Sequence, residues 1–159
     1  MTRLYGRGLR GERVYEAIPG RSWTSTTVLS AIHYTGRTES MMVSGATDAV
    51  VFEVFIKKVL CPKLKKTDIV IMDNLPAHKG PEIRNAIESK GAKLLYLPPY
   101  SPDFNPIEKM WSKVKAYLRK IKGRSEEEIT KALAEVLRAV TRKDAFGWYH
   151  SCGYVLIDS

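Results

Sequence analysis

At 159 residues, 44% of them hydrophobic, the chain is long enough for one domain with a real core and too short for two ordinary ones. Lys and Arg number 26 against 17 acids, a net charge of +9 that points toward a polyanionic partner and carries no information about fold. No run approaches the roughly 18 apolar residues that cross a bilayer, the basic start lacks the apolar core of a signal peptide, and Cys61 and Cys152 lie far apart without Cys-x-x-Cys spacing, so the expectation is a cytoplasmic or nucleoid-bound protein with free thiols.

Residues 1–20 are rich in glycine and arginine, with Arg3, Arg7, Arg10 and Arg13 interspersed and no apolar period. Two readings stand side by side: a solvated basic arm, or an arm whose Arg7 and Arg10 track phosphates with their planar forks. From Ser22 to Tyr34 the β-branched and aromatic residues predict a strand, Tyr34-Thr35-Gly36-Arg37 supplies turn chemistry, and Thr38 to Val43 predicts its partner in a hairpin. His33 near the tip reads as a surface or pairing residue. Thr47 offers an N-cap with Asp48 in the first turn, and Val51, Phe52, Phe55, Ile56 and Val59 recur at helical spacing up to Cys61-Pro62, which is the pattern of a helix packed on a sheet.

A short β-branched run, Ile69 to Met72, predicts a buried strand that ends in a carboxylate, Asp73. Asn74, Pro76 and Gly80 mark a loop, Pro81 opens a helix to about Lys90 that Gly91 closes, and Lys93 to Leu97 predicts the next strand, parallel to the first. A proline-studded loop from Pro98 to Phe104 leads to Asn105, Pro106, Ile107 and Glu108 at the head of a long helix. Asp73 and Glu108 are separated by 34 residues, and both fall where the chain leaves a regular element, the place where open α/β folds put their chemistry. Each has a plainer role available. Asp-Asn after a strand is common turn chemistry, and Asn-Pro-Ile-Glu closely matches a capping box.

On a wheel of about 100° per residue, Met110, Trp111, Val114, Tyr117, Leu118 and Ile121 form the apolar stripe of the helix from Pro106 to Ile121, and Glu108 lies off it. The same helix carries Lys109, Lys113, Lys115, Arg119 and Lys120, mostly off the stripe, which read either as solvation or as phosphate contacts. Ser125 and Glu128 predict a capping box for a last helix to about Arg142, with Ile129, Leu133, Val136, Leu137 and Val140 on one face. The tail, residues 144–159, is aromatic and is expected to finish the core or to be covered by a partner chain.

The strand ending in Asp73-Asn74 with His78 behind it, the Leu-Pro-Pro-Tyr-Ser-Pro-Asp-Phe-Asn-Pro-Ile-Glu run from Leu97 to Glu108, and Trp111 three residues further resemble the catalytic domain of DDE transposases, in the branch that joins mariner elements and related bacterial insertion sequences. The resemblance covers nearly the whole chain. It implies an RNase H-like mixed sheet flanked by helices, three carboxylates that hold two divalent metals, and Asp73 and Glu108 as the second and third of them. It implies further that the first carboxylate ends a strand preceding a segment like Tyr5-Gly6-Arg7-Gly8-Leu9-Arg10-Gly11, and no acid precedes Glu12 here. The expected domain is therefore single, with a basic arm (1–20), an α/β core (22–143) and the aromatic tail, lacking its first strand and first acid.

Asp48 and Asp68 open elements and Asp103 sits in a loop, so none replaces that acid; Asn74, His78 and Asn105 are expected to support the pair. Hard oxygen ligands select Mg2+ or Mn2+, which would serve phosphodiester cleavage and strand transfer at transposon ends. Two carboxylates alone are a poor cage, so weak metal binding and little activity are expected of this chain. The expected partners are DNA and further copies of the chain. A non-catalytic remnant that binds DNA or inhibits transposition stays open as the second reading, with a hybrid nuclease or resolvase a more distant third.

Overall fold

The computed structural model describes residues 26–121 and 125–155. Strands β1 (Thr26–Ile32) and β2 (Thr38–Ser44) form the expected antiparallel hairpin, in register from Thr26 opposite Ser44 to Ile32 opposite Thr38. Ser30 and Ser40 bond across it at 2.6 Å. The turn closes through His33 N–H donating to the Arg37 carbonyl at 2.8 Å. Gly36 has a φ of +91°, and a Cβ there would stand 2.7 Å from backbone atoms of Thr141 and Arg142, so only glycine lets the hairpin tip rest on the chain that crosses it.

Helix α1 (Ala49–Val54) continues through a π-helical stretch, Phe55–Leu60, and a 3-10 turn, Cys61–Lys63. Its N-cap is Asp48, whose carboxylate accepts from Val51 N–H at 2.9 Å, one residue later than the Thr47 cap expected from sequence. The charged Asp48 oxygen answers the Val51 amide at the positive end of the helix, while the Thr47 hydroxyl is buried and unbonded. Strand β3 (Ile69–Met72) pairs in parallel with β4 (Lys93–Tyr96), and helix α2 (Pro81–Glu88) connects them. Helix α3 (Pro106–Ile121) runs as predicted, and Ser125 caps α4 (Glu126–Arg138) with a complete capping box.

The tail differs from expectation. α4 stops at Arg138, and Thr141 starts a further helix, α5 (Arg142–Ser151), through a second capping box with Asp144. That signal, Thr-x-x-Asp, lay inside what reads as the previous helix's apolar period, because Val140 continues the stripe across the break.

Strand alternation divides the interior in two. Leu29, Ala31 and Met41 pack toward a core of Phe52, Phe55, Ile56, Leu60, Met72, Ile83, Ile87 and Leu94, made by α1, α2 and the β3–β4 pair. Val28, Ile32 and Met42, on the other face of the hairpin, pack toward Met110, Val114, Leu133, Val136, Leu137 and Val140 of α3, α4 and the turn after it. Period two along the hairpin thus makes it the wall between two helical layers. Ile56, Ile83, Ile87, Met110 and Val114 are the most completely enclosed side chains, each contributing about 1.5–3 kcal/mol by leaving water. Cys61 and Cys152 are buried free thiols, as expected.

The expected mixed sheet is present as two halves. Among the described residues, β1 pairs only with β2 and β3 only with β4.

Candidate functional site

Asp73 is the first residue past β3, where the ladder still holds: Leu97 N–H donates to the Met72 carbonyl at 2.9 Å. Its side chain is 45% exposed. The chain then turns through Pro76–His78, which returns the His78 ring so that Nδ1 lies against Asp73 Oδ1. The two atoms are in close contact without forming a directed hydrogen bond. Two further groups hold the imidazole. Its ring stacks on Phe52 of α1 at 3.9 Å and 20°, and its carbonyl accepts from the Tyr96 hydroxyl of β4 at 2.8 Å. Arg84 sits over the Tyr96 ring at 5.7 Å.

Glu108 stands at the third position of α3, and the capping-box role open to it is not taken. Asn105 N–H donates instead to the Pro102 carbonyl at 2.9 Å, while the Asn105 side chain accepts weakly from Ile107 N–H at 3.4 Å. The Glu108 carboxylate is exposed and makes no hydrogen bond or ion pair with any described residue. It stays at a helix N-terminus, where the backbone dipoles favour negative charge.

Asp73, His78, Asn105 and Glu108 line one cavity of about 270 Å³, together with β1, β3 and the apolar face of α1. Asn74, next to Asp73 but not among the lining residues, has a buried side-chain oxygen with no hydrogen-bond partner, an arrangement that costs free energy. The donor types here, carboxylate and amide oxygens, suit a hard divalent cation. Their number is short, because no group of three potential metal ligands occurs among the described residues.

The basic residues of α3 divide. At about 100° per residue, Lys115 and Arg119 fall within about 20° of Glu108 on one flank of the helix, while Lys109 and Lys120 lie on the opposite flank. All four are exposed and without an ion pair to any described residue. Lys113 departs from the sequence expectation: its Nζ is bonded to Asp144 at 2.7 Å and lies 5.9 Å from the Trp148 ring, so it ties α3 to α5 and is not presented to a phosphate. Arg7 and Arg10 lie outside the described residues.

Sequence reasoning missed Phe52 and Tyr96, the supports of His78. Tyr96 stands opposite Met72 in the parallel register, so an aromatic one step before the carboxylate's own level was the available signal. It also missed Tyr154, whose hydroxyl donates to the Phe104 carbonyl at 2.8 Å and stitches the tail to the loop before Glu108. Nothing in linear spacing announces a contact across 50 residues.

A family model described as DDE superfamily endonuclease matches residues 1–130. The transposable element Tcb1 transposase of Caenorhabditis briggsae is 31% identical over 85 residues, 51% of this chain and 30% of that protein. The Tcb2 transposase of the same organism is 26% identical over 102 residues, 62% of this chain and 37% of that one. Among solved structures, the Mos1 strand transfer complex superposes with a TM-score of 0.71 at 20% identity over 94% of this chain, and the Mos1 mariner paired end complex with Mn with 0.69 at 21% over 92%. Both alignments take in 46% of the Mos1 chain, so the present chain spans a third or so of the curated relatives and just under half of the solved ones. The likeness gives the fold, the RNase H-like one.

Proposed function

The chain belongs to the DDE superfamily endonuclease family, and from that premise we propose that it carries the cleavage body of a DNA transposase, with Asp73 and Glu108 as its two metal-holding carboxylates. One observation carries the reading: two acids with 34 residues between them line a single cavity, and the fold uses neither as a cap or a structural ion pair beyond the His78 contact.

A bound Mg2+ or Mn2+ ion would supply charge stabilisation to the oxygens of a phosphodiester under attack. The chain's own residues do the rest. Asp73 and Glu108 would hold the cation, and His78 lies against the Asp73 carboxylate. Asn74 and Asn105 offer amide groups to the ion's surroundings. Lys115 and Arg119, on the same flank of α3 as Glu108, hold the nucleic-acid backbone leading away from the site, and the arm residues Arg7 and Arg10 join them. The Mos1 strand transfer complex and the Mos1 transposase paired-end complex with left transposon end support DNA as the partner, and assembly with further copies of the chain is part of the same proposal. On this reading the protein works with that DNA, on the nucleoid.

The test is cleavage of supercoiled plasmid in Mg2+ or Mn2+, alongside titration of Mn2+ by electron paramagnetic resonance. Asp73→Asn and Glu108→Gln should each abolish the metal dependence of both. Equal Mn2+ binding by parent and double variant would overturn the assignment. The second reading, DNA binding without cleavage, is favoured by the absence of a third ligand among the described residues. It predicts retained plasmid binding with no nicking at any metal concentration.

A further inference from the structure

β3 and β4 run in parallel, so both begin at the same end of the fold, roughly 13 Å from Asp73 at about 3.3 Å per residue. Five lysines gather at that end. Lys63 closes the 3-10 turn after α1, Lys65 and Lys66 lie in the loop before β3, Lys90 follows α2, and Lys93 opens β4. The fold ties these segments to one another: Lys93 N–H donates to the Asp68 carbonyl at 2.9 Å, and a Cβ on Gly91 would stand 2.9 Å from Cγ of Lys66. Gly91 therefore leaves room for the apolar stem of Lys66 to lie against it while the charged head stays in water. Arg37 of the hairpin turn reaches the same end, donating to the Lys63 carbonyl at 3.2 Å.

The charge of these lysines is not answered within the fold. All five are exposed, and none has an ion pair with any described residue. Elsewhere Lys57, Arg84, Lys113 and Lys131 each meet a carboxylate. The one acid in 61–68 and 89–93 is Asp68, and its carboxylate accepts from Lys65 N–H at 2.8 Å. Backbone dipoles favour a cation at the end of a helix, which accounts for Lys63 and Lys90 but not for Lys65, Lys66 and Lys93. Cations gathered in this way repel one another, a cost that a polyanion removes.

We propose that this end of the β3–β4 pair is a second nucleic-acid surface, which holds the phosphate backbone of a duplex segment other than the one presented to Asp73 and Glu108. No aromatic residue occurs in 61–68 or 89–93, so the surface lacks the stacking groups on which single strands are held. Lysine is a compact point charge that suits phosphate oxygens, and contacts to phosphate carry no sequence information, so this surface holds duplex without reading it. The chain then grips DNA on two sides, at the Glu108 flank of α3 and at the start of β3 and β4. The choice of DNA as the polyanion rests on the function proposed above, and the gathering of unanswered charge does not.

The experiment acetylates the amines of the full chain with a limiting reagent, in the absence of metal ion, with and without a short DNA duplex, and reads each lysine by mass spectrometry. The duplex should slow acetylation of Lys63, Lys65, Lys66, Lys90 and Lys93 severalfold and leave Lys131 of α4 at the free rate. The same five should stay protected in the Lys115→Gln/Arg119→Gln variant, which lacks the α3 track. In that background, changing Lys65, Lys66, Lys90 and Lys93 to Gln should move the slope of log affinity against log salt toward zero by about 3 to 4, with Mn2+ binding unchanged. Protection of the five in a chain whose Mn2+ binding ignores Asp73→Asn and Glu108→Gln supports the surface and counts against the metal assignment. Four outcomes would each overturn the surface: the five reacting at the free rate, Lys131 protected to the same degree, a salt slope unmoved by the four changes, or polyglutamate protecting the five at a lower charge concentration than the duplex.

Discussion

His78 meets Asp73 through Nδ1, and it does so because Phe52 and Tyr96, from a helix and a strand on either side, hold the ring and the carbonyl of the same residue. The strand delivers Asp73, and the group its carboxylate meets belongs to a residue five positions on. Groups that orient a ligand in this way typically alter metal affinity 10- to 100-fold when removed.

His78→Ala is therefore expected to weaken Mn2+ binding by about tenfold or more while leaving the fold intact. Tyr96→Phe removes the hydrogen bond to the His78 carbonyl and should cost about 1 kcal/mol in urea unfolding, with a smaller loss of Mn2+ affinity. Unchanged Mn2+ binding in both variants would reduce His78 to a packing residue of the Phe52 layer.

Lys115 and Arg119 share the Glu108 flank of α3, and Lys113 is engaged with Asp144. Log affinity for duplex DNA should fall with log salt, at a slope that moves toward zero by about 2 when Lys115 and Arg119 are both changed to Gln. Lys113→Met should leave the slope where it is. A slope insensitive to the first pair and sensitive to Lys113 would put the phosphate track on another face.

The sequence made most of this legible where one physical signal dominated. The β-branched run into Asp73, Pro81 and Gly91 around α2, and Pro106 at the head of α3 each fixed an element locally, and the structure has them within a residue or two. The family was legible because Asn-Pro-Ile-Glu in its proline-rich loop is specific. What stayed hidden depends on contacts between distant segments. Whether Glu108 would cap its helix or stay free was decided by Asn105 bonding backward to Pro102, two roles with one sequence pattern. Lys113 looked like its basic neighbours until α5, itself masked by the continuing period at Val140, brought Asp144 against it.

That pair makes a pH prediction. The Lys113 ammonium, with the Thr141 backbone amide assisting, lowers Asp144 to about 2 from 3.8. A carboxyl depressed in the folded state contributes stability that is fully present above its unfolded value, near pH 4, and is lost as pH falls through about 2. Both partners are about a third exposed, so solvent screening holds the contribution to roughly 0.5–1 kcal/mol. In Lys113→Met the Asp144 resonance should titrate close to the ordinary carboxylate range, and the acid limb of the unfolding midpoint between pH 4 and pH 2 should be shallower than in the parent. An unchanged titration curve would mean that the capping box alone sets Asp144.

At the alkaline end the group to watch is Tyr149, whose hydroxyl donates to the Ile32 carbonyl at 2.8 Å, across 117 residues, at the foot of the space between β1 and β3. Burial, with Tyr154 and Cys152 nearby, pushes it up to about 12 from 10. The unfolded chain thus gives up this proton first, and the stability Tyr149 contributes is complete below pH 10 and lost as pH rises through about 12. Tyr149→Phe removes both the hydrogen bond and the titration. It should cost about 1 kcal/mol at neutral pH and flatten the loss of stability between pH 10 and pH 12, read from urea midpoints. Because the bond fixes a carbonyl at the end of β1, the same variant should speed exchange of amides around residue 32 more than those of β2. Uniform acceleration over the hairpin would show instead that Tyr149 acts only through global stability.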